Sequence, residues 1–286
     1  MSKIFGGLLH CVASAFRFIR KSIVAVWRWY KSLYREKKWW YKLIVFFLSM
    51  IVLAFLYVNA VMFNFLWLFG KSPTVHDIMH PENPEASIIY TADGKVMGKF
   101  FDENRQSVVY DSINNNFFQA LVSTEDERFF SHNGIDFKGL VAAAKDATQG
   151  HARGASTITQ QLVKNMFRIR SNSQYGTGLV GKIPGVGIVI MKTKEMAIAV
   201  QLEMLNEKDS ILMMYANTVD FGSNAFGIKT AAKTYFNKAP SELKIEESAV
   251  LVGLLKATST YNPRINPKRS LERRNLVLRN IYEHRR

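Results

Sequence analysis

The sequence predicts a mainly α-helical protein: one transmembrane helix, then a helical domain that opens on a short β-hairpin. Three observations carry this. From Leu43 to Phe69 the chain has no charged side chain, with Asn59 and Asn64 as its strongly polar interruptions, and about 20 apolar residues suffice to cross a bilayer. Further on, apolar residues recur at helical spacing in two stripes. One holds Phe118, Leu121, Val122, Glu125 and Phe129; the other holds Met191, Glu195, Ile198, Leu202 and Leu205. Between the apolar run and these stripes, Ser87–Tyr90 and Val96–Phe101 flank an Ala92-Asp93-Gly94 turn, the pattern of a hairpin.

Residues 1–42 form a basic and aromatic segment with ten Lys or Arg and one acidic residue, Glu36, a net charge of +9. Within it, Phe16, Phe18, Ile19, Trp27 and Trp29 mix with cations over 14–38, as in a helix lying on an anionic membrane surface. Cys11, the single cysteine, lies here, so no disulfide is expected in the later domain. Arg35, Lys37, Lys38 and Lys42 precede the apolar run and a lone Lys71 follows it. That asymmetry places the N-terminus in the cytoplasm and everything after residue 70 outside the cytoplasmic membrane. The overall charge of +15 suits anionic lipid or phosphate-bearing substrates better than nucleic acid, because the densest charge abuts the membrane run.

After the span at 43–69, residues 70–85 read as a linker broken by Pro73, Pro81 and Pro84. Residues 86–286 form the main domain, with helices expected near 115–130, 136–149, 156–168, 190–206, 208–217, 225–235 and 245–256. Gly176, Gly178 and Gly181 match a dinucleotide-binding spacing. No strand precedes them, no clear helix start follows, and no acidic residue lies about 20 positions on, so the stretch reads as an apolar loop near the bilayer.

The chemistry-bearing residues start with the two glutamates on the apolar stripes. An unpaired carboxylate in a core costs several kcal/mol, roughly, so each marks either an ion pair or a proton-transferring site. Glu125 opens the run that includes Asp126 and His132; the histidine is a second base or a helix-end cap. Next, Gly154-Ala155-Ser156 leads into a helix with Ser156 as its N-cap, offering free N–H groups to an anion. Thr157, Gln160, Gln161, Lys164 and Arg168 make a polar, cationic stripe along that helix. Lys192 and Lys194 then precede Glu195 within one turn, placed to neutralise a departing anion. Paired carboxyl groups of unlike environment are the equipment for work at a sugar anomeric centre.

Taken in order, TEDERFFSHNGID, GASTITQQLVKN, KTKE, ILMMYANTVDFGSNAFGIKTAAKTYF and ESAVLVGLLKATSTYNP resemble the motifs of peptidoglycan glycosyltransferase domains over residues 85–280. The resemblance implies a lysozyme-like, mainly helical fold with a small membrane-proximal lobe. It implies Glu125 as catalytic base and Glu195 as a second essential carboxylate. Substrate-binding positions would be Ser156, Thr157, Gln160, Gln161, Lys164 and Lys192, to which Asp126, His132 and Lys194 are added. Met191 stands where many members carry arginine, so phosphate charge would be met by Lys194, Arg153 or a divalent cation (Mg or Mn); no protein-held metal or other cofactor is expected.

The implied substrates are lipid II and the growing glycan chain at the cytoplasmic membrane, with a cell-wall synthesis complex as an open option for partners. The tail ERRNLVLRNI resembles the junction at which class A penicillin-binding proteins continue into a transpeptidase, so the chain reads as the N-terminal part of such a bifunctional protein. Ser241 and Lys244 formally match SxxK, without a KTG, and Ser241 reads as a helix cap. Two rivals stay open: a lysozyme-like lytic enzyme, and a non-catalytic scaffold for cell-wall assembly.

Overall fold

The computed structural model describes residues 2–35, 37–81, 87–101, 103–150, 154–169 and 175–284. The chain divides at Asn59 into two units. The first holds helix α1 (Ser2–Tyr34) and most of α2 (Trp39–Met62). Along α1, the described aromatic residues Phe18, Trp27 and Trp29 are exposed beside exposed arginines and lysines. The side chains of Cys11, Phe16 and Ile19 lie outside the described set. Helix α2 is long and apolar enough to cross a membrane by length and composition, and most of its large apolar side chains are exposed.

The span is shorter than its apolar composition suggests. Asn64, Leu66 and Trp67 all adopt positive φ, and the Asn64 carboxamide oxygen accepts the Phe69 N–H at 3.0 Å. The chain therefore turns after Met62 where continuous helix to Phe69 is expected.

In the second unit, the expected linker contains a helix, α3 (Val75–Met79). Thr74 and Asp77 form a reciprocal capping box, with the Asp77 N–H on the Thr74 hydroxyl at 3.2 Å and the Thr74 N–H on the Asp77 carboxylate at 2.8 Å. Strands β1 (Ser87–Tyr90) and β2 (Val96–Phe100) pair antiparallel, Ser87 opposite Phe100, with a bulge at Ile89/Tyr90.

The helices that follow are α4 (Asn115–Glu125), α5 (Phe137–Thr148), α6 (Ile158–Met166), α7 (Val186–Leu205), α8 (Lys208–Thr218), α9 (Ile228–Phe236), α10 (Ile245–Leu255) and α11 (Pro267–His284). Helix α4 packs on α10 and α11, which pack on each other, while α6 packs on α7 and α8. Phe117, Leu121, Ile158, Leu162, Ile198, Leu202, Leu251 and Val277 are fully buried among them. Each such side chain contributes roughly 1.5–3 kcal/mol.

Two differences from the expected helices matter for the site. Helix α4 ends at Glu125, because Asp126 leaves helical geometry at φ −159°, and the glutamate is left at the helix mouth. Helix α11 has no counterpart among the expected helices; Val277 and Ile281 anchor it, and a β-carbon at Gly253 of α10 would come within 3.1 Å of the Arg273 side chain.

The glycine-rich stretch has a packing explanation. A β-carbon at Gly70 would sit 2.2 Å from the Gly176 carbonyl oxygen, and one at Gly178 would sit 2.4 Å from that of Leu68. Two backbone segments lie directly against each other there. Helix α7 starts inside the stretch, at Val186, where no helix start is expected from the sequence.

Candidate active site

A single open groove of about 510 Å³ collects most of the residues singled out above. Glu125 comes from the end of α4, Ser156 from the segment entering α6, Gln161 and Lys164 from α6, and Lys192 and Glu195 from α7. Asp126, Thr157 and Gln160 also line it, and Lys256 and Arg273 are added from beyond α10 and from α11.

Glu125 meets the partial negative charge of its own helix terminus. Two groups offset this: the Gln161 amide donates to its carboxylate at 3.0 Å, and the Arg273 guanidinium approaches at 3.7 Å. The second glutamate lies deeper. Glu195 is 1% exposed and pairs with the Lys192 ammonium at 2.8 Å. That ammonium also donates to the Ser156 hydroxyl at 2.8 Å, so a buried carboxylate holds a half-buried cation at the groove wall.

Thr157, and not Ser156, is the N-cap of α6: its hydroxyl accepts from the Gln160 N–H at 3.2 Å. The N–H of Ile158 is bound by Asp126 at 3.0 Å. The helix terminus is thus largely satisfied internally, and it offers an anion less than the sequence pattern suggests. The same Asp126 carboxylate accepts from His132 Nε2 at 3.0 Å. His132 is not among the residues lining the groove, which corrects its expected role as a substrate contact; it braces Asp126 instead. Its backbone carbonyl accepts from Lys208, which also pairs with Glu203. Thr157 and the Gln160 side chain both donate to the Gly134 carbonyl, at 2.8 and 3.1 Å.

Gly134 has φ +82°, and a β-carbon there would lie 2.7 Å from the Ala199 backbone. Gly134→Ala is therefore expected to destabilise the domain by about 3 kcal/mol or more, read as a lowered thermal unfolding midpoint.

Lys194 is the clearest correction. It is 0% exposed and lies on the face of Ile190 and Ile198. Its ammonium donates to the carbonyls of Gly70, Lys71 and Gly176 at 3.0, 2.6 and 2.8 Å. Burial pulls its pKa down to about 8, but the three carbonyls take all three N–H bonds of the charged form. It ties the segment after α2 to the glycine-rich turn and does not reach the groove. Met191 faces a separate depression with Ile183, Pro184 and Ile188. Arg153, the other cation considered for phosphate, lies outside the described residues.

Three features in or behind the groove escape sequence reasoning. Arg273 sits one turn before buried Val277, a cation on an apolar stripe, the same signal that marks Glu125. Tyr215 puts a hydroxyl among the buried Ile211, Leu212 and Ala216 of α8. Arg128 forms a close ion pair with Asp136 at 2.5 Å; that guanidinium holds the Asp136 carboxyl below the usual range, and Asp136 also caps α5 at Gly139. Among the described residues, no three His, Cys, Asp or Glu side chains converge as a metal cage; a magnesium ion on a diphosphate needs only one or two protein carboxylates, so this bears little on one arriving with substrate.

The fold and the groove point to the enzymes that act on cell-wall glycan, and comparison with known families makes this definite. Residues 93–282 match the transglycosylase family model, and the chain belongs to that family, the peptidoglycan glycosyltransferases.

Penicillin-binding protein 1A from Pseudomonas aeruginosa is 36% identical over 216 residues, 75% of this chain and 24% of that protein. The protein of that name from Escherichia coli K12 is 38% identical over 192 residues, 66% of this chain and 21% of that one. The chain thus spans about a quarter of the length of these curated relatives. A crystal structure of penicillin-binding protein 1A from Haemophilus influenzae aligns over 71% of this chain and 18% of that one, at 25% identity and a TM-score of 0.36.

Proposed function

We propose that this chain polymerises lipid II into β-1,4-linked glycan at the outer face of the cytoplasmic membrane, releasing undecaprenyl pyrophosphate. The observation that carries this reading is the shared groove: Glu125 and the Lys192–Glu195 pair line one cavity with Lys164.

Glu125 takes the proton from the 4-hydroxyl of the acceptor's N-acetylglucosamine. The freed oxygen bonds to C1 of the growing chain's lipid-linked N-acetylmuramic acid as the C1–O bond to diphosphate breaks. The displacement inverts α to β, and the diphosphate leaves with the bonding electrons. Lys164 and Lys192 meet its charge, and Glu195 fixes where Lys192 stands. The proton on Glu125 then passes to water through the open groove. Helix α2 would keep enzyme and lipid substrate on one surface, raising their effective concentration. The N-terminus lies in the cytoplasm in this reading, from the excess of cations before the span.

A lysozyme-like hydrolase also uses two carboxylates, but hydrolysis of a neutral glycosidic bond requires no array of lysines for a diphosphate. Incubation of the protein with lipid II and, separately, with purified sacculi decides between them. Consumption of lipid II with appearance of polymer is the expected result; solubilised sacculi with intact lipid II would reverse the assignment.

A further inference from the structure

We infer that Tyr215 is a positioning residue for the base: its hydroxyl, buried in α8, locks the Gln161 amide in the orientation that presents N–H to Glu125. This rests on the reading of Glu125 as the base. The geometry is a three-member chain across three helices. The Tyr215 hydroxyl lies 3.0 Å from Gln161 Oε1, and Gln161 Nε2 lies 3.0 Å from Glu125 Oε2.

The polarity of this chain follows from what each atom can do. An amide oxygen only accepts, so the tyrosine hydroxyl must donate to it. An ionised carboxylate also only accepts, so it requires the amide nitrogen. Turning the Gln161 amide over would set its oxygen against the carboxylate, two acceptors 3 Å apart, roughly hydrogen-bond distance. The Tyr215 hydroxyl disfavours that turn by already occupying the carbonyl. Burial, with the Glu125 charge, pushes the Tyr215 hydroxyl far above its ordinary pKa, so it keeps its proton and remains a donor. Tyr215 is 1% exposed and does not line the groove, so it acts on the reaction only through Gln161.

Both ends of Glu125 are then fixed independently. Gln161 holds one oxygen from α6, and Arg273 stands 3.7 Å from the other, reaching from α11. Without the tyrosine hydroxyl, only the carboxylate itself orients the amide, and one of these two restraints on Glu125 weakens. The base then samples orientations in which its lone pair misses the acceptor hydroxyl, although substrate binding is unaltered.

The test is a double-mutant cycle on lipid II turnover with the full chain. Tyr215→Phe removes one oxygen from a site that already suits an aromatic ring; kcat is expected to fall about tenfold, the worth of one hydrogen bond, with KM unchanged. Gln161→Met removes both amide functions at similar volume, and adding Tyr215→Phe to it is expected to cost less than about twofold more. A Tyr215→Phe protein with wild-type kcat overturns the inference, and so do effects that multiply in the double variant.

Should Tyr215→Phe fail to fold, Gln161→Asn reads the relay from its groove end. It keeps the amide but, one methylene short, cannot span Tyr215 and Glu125 together; lowered kcat at unchanged KM supports the relay, and wild-type kcat overturns it. Glu125→Gln run alongside separates the two readings. If that variant polymerises normally, the base assignment fails; if it is dead while Tyr215→Phe is unimpaired, only the relay fails.

Discussion

Glu125→Gln is expected to cut lipid II polymerisation by about 10³-fold or more, with little change in thermal unfolding. General-base catalysis contributes about 10²–10⁴-fold, and two other carboxylates of the groove are already engaged. Asp126 is engaged by His132 and the Ile158 N–H, and Glu195 is buried against Lys192. Neither can move to the acceptor hydroxyl without leaving its partners. Glutamine is nearly isosteric with glutamate, so the packing of α4 on α10 and α11 persists and the loss falls on chemistry. Binding of lipid II, measured by sedimentation with detergent micelles, should stay within about twofold, because a neutral amide still fits the same space. Turnover near the wild-type rate would remove Glu125 from its proposed role.

The second large effect is a contrast between two lysines that sit two positions apart on α7. Lys192→Met is expected to lower kcat by about 10²–10³-fold, the usual worth of a charge-stabilising donor at a reacting group. Stability should fall as well, since the buried Glu195 carboxylate loses its closest cation, so turnover is compared below the unfolding midpoint. Lys194→Met should cost stability without the kinetic loss. Three backbone carbonyls lose their shared donor, for a loss of about 3 kcal/mol. That corresponds to a fall of roughly 6–12 °C in the unfolding midpoint for a domain of this size. Below that midpoint, activity should persist. Calorimetry and steady-state turnover on the two variants separate the roles, and equal kinetic losses with equal stability would show that both lysines serve the diphosphate.

That contrast also shows where sequence reasoning stops. Successive residues on a helix are about 100° apart, so Lys192 and Lys194 face nearly opposite ways. Lys192 shares a face with Glu195, three positions on, whereas Lys194 falls between Ile190 and Ile198 on the buried side. The periodicity needed to tell them apart was in the chain. What it lacked was the destination, since the carbonyls of Gly70 and Lys71 lie more than 120 residues away. The same holds for Asp126, a groove residue whose carboxylate also accepts the first N–H of a helix 32 residues on.

The chain by itself determined whatever depends on near neighbours: a long apolar helix from an uncharged run, amphipathic helices from their stripes, and glutamates set on apolar faces. It also determined family, through ordered motifs that need no geometry to recognise. Tertiary structure alone decided which side chains share a cavity. Arg273 meets Glu125 across 148 residues of sequence, and Tyr215 reaches it through Gln161. Such pairings arise because a buried polar group without a partner is costly, and the partner available is fixed by how helices pack, not by the order in which they are written.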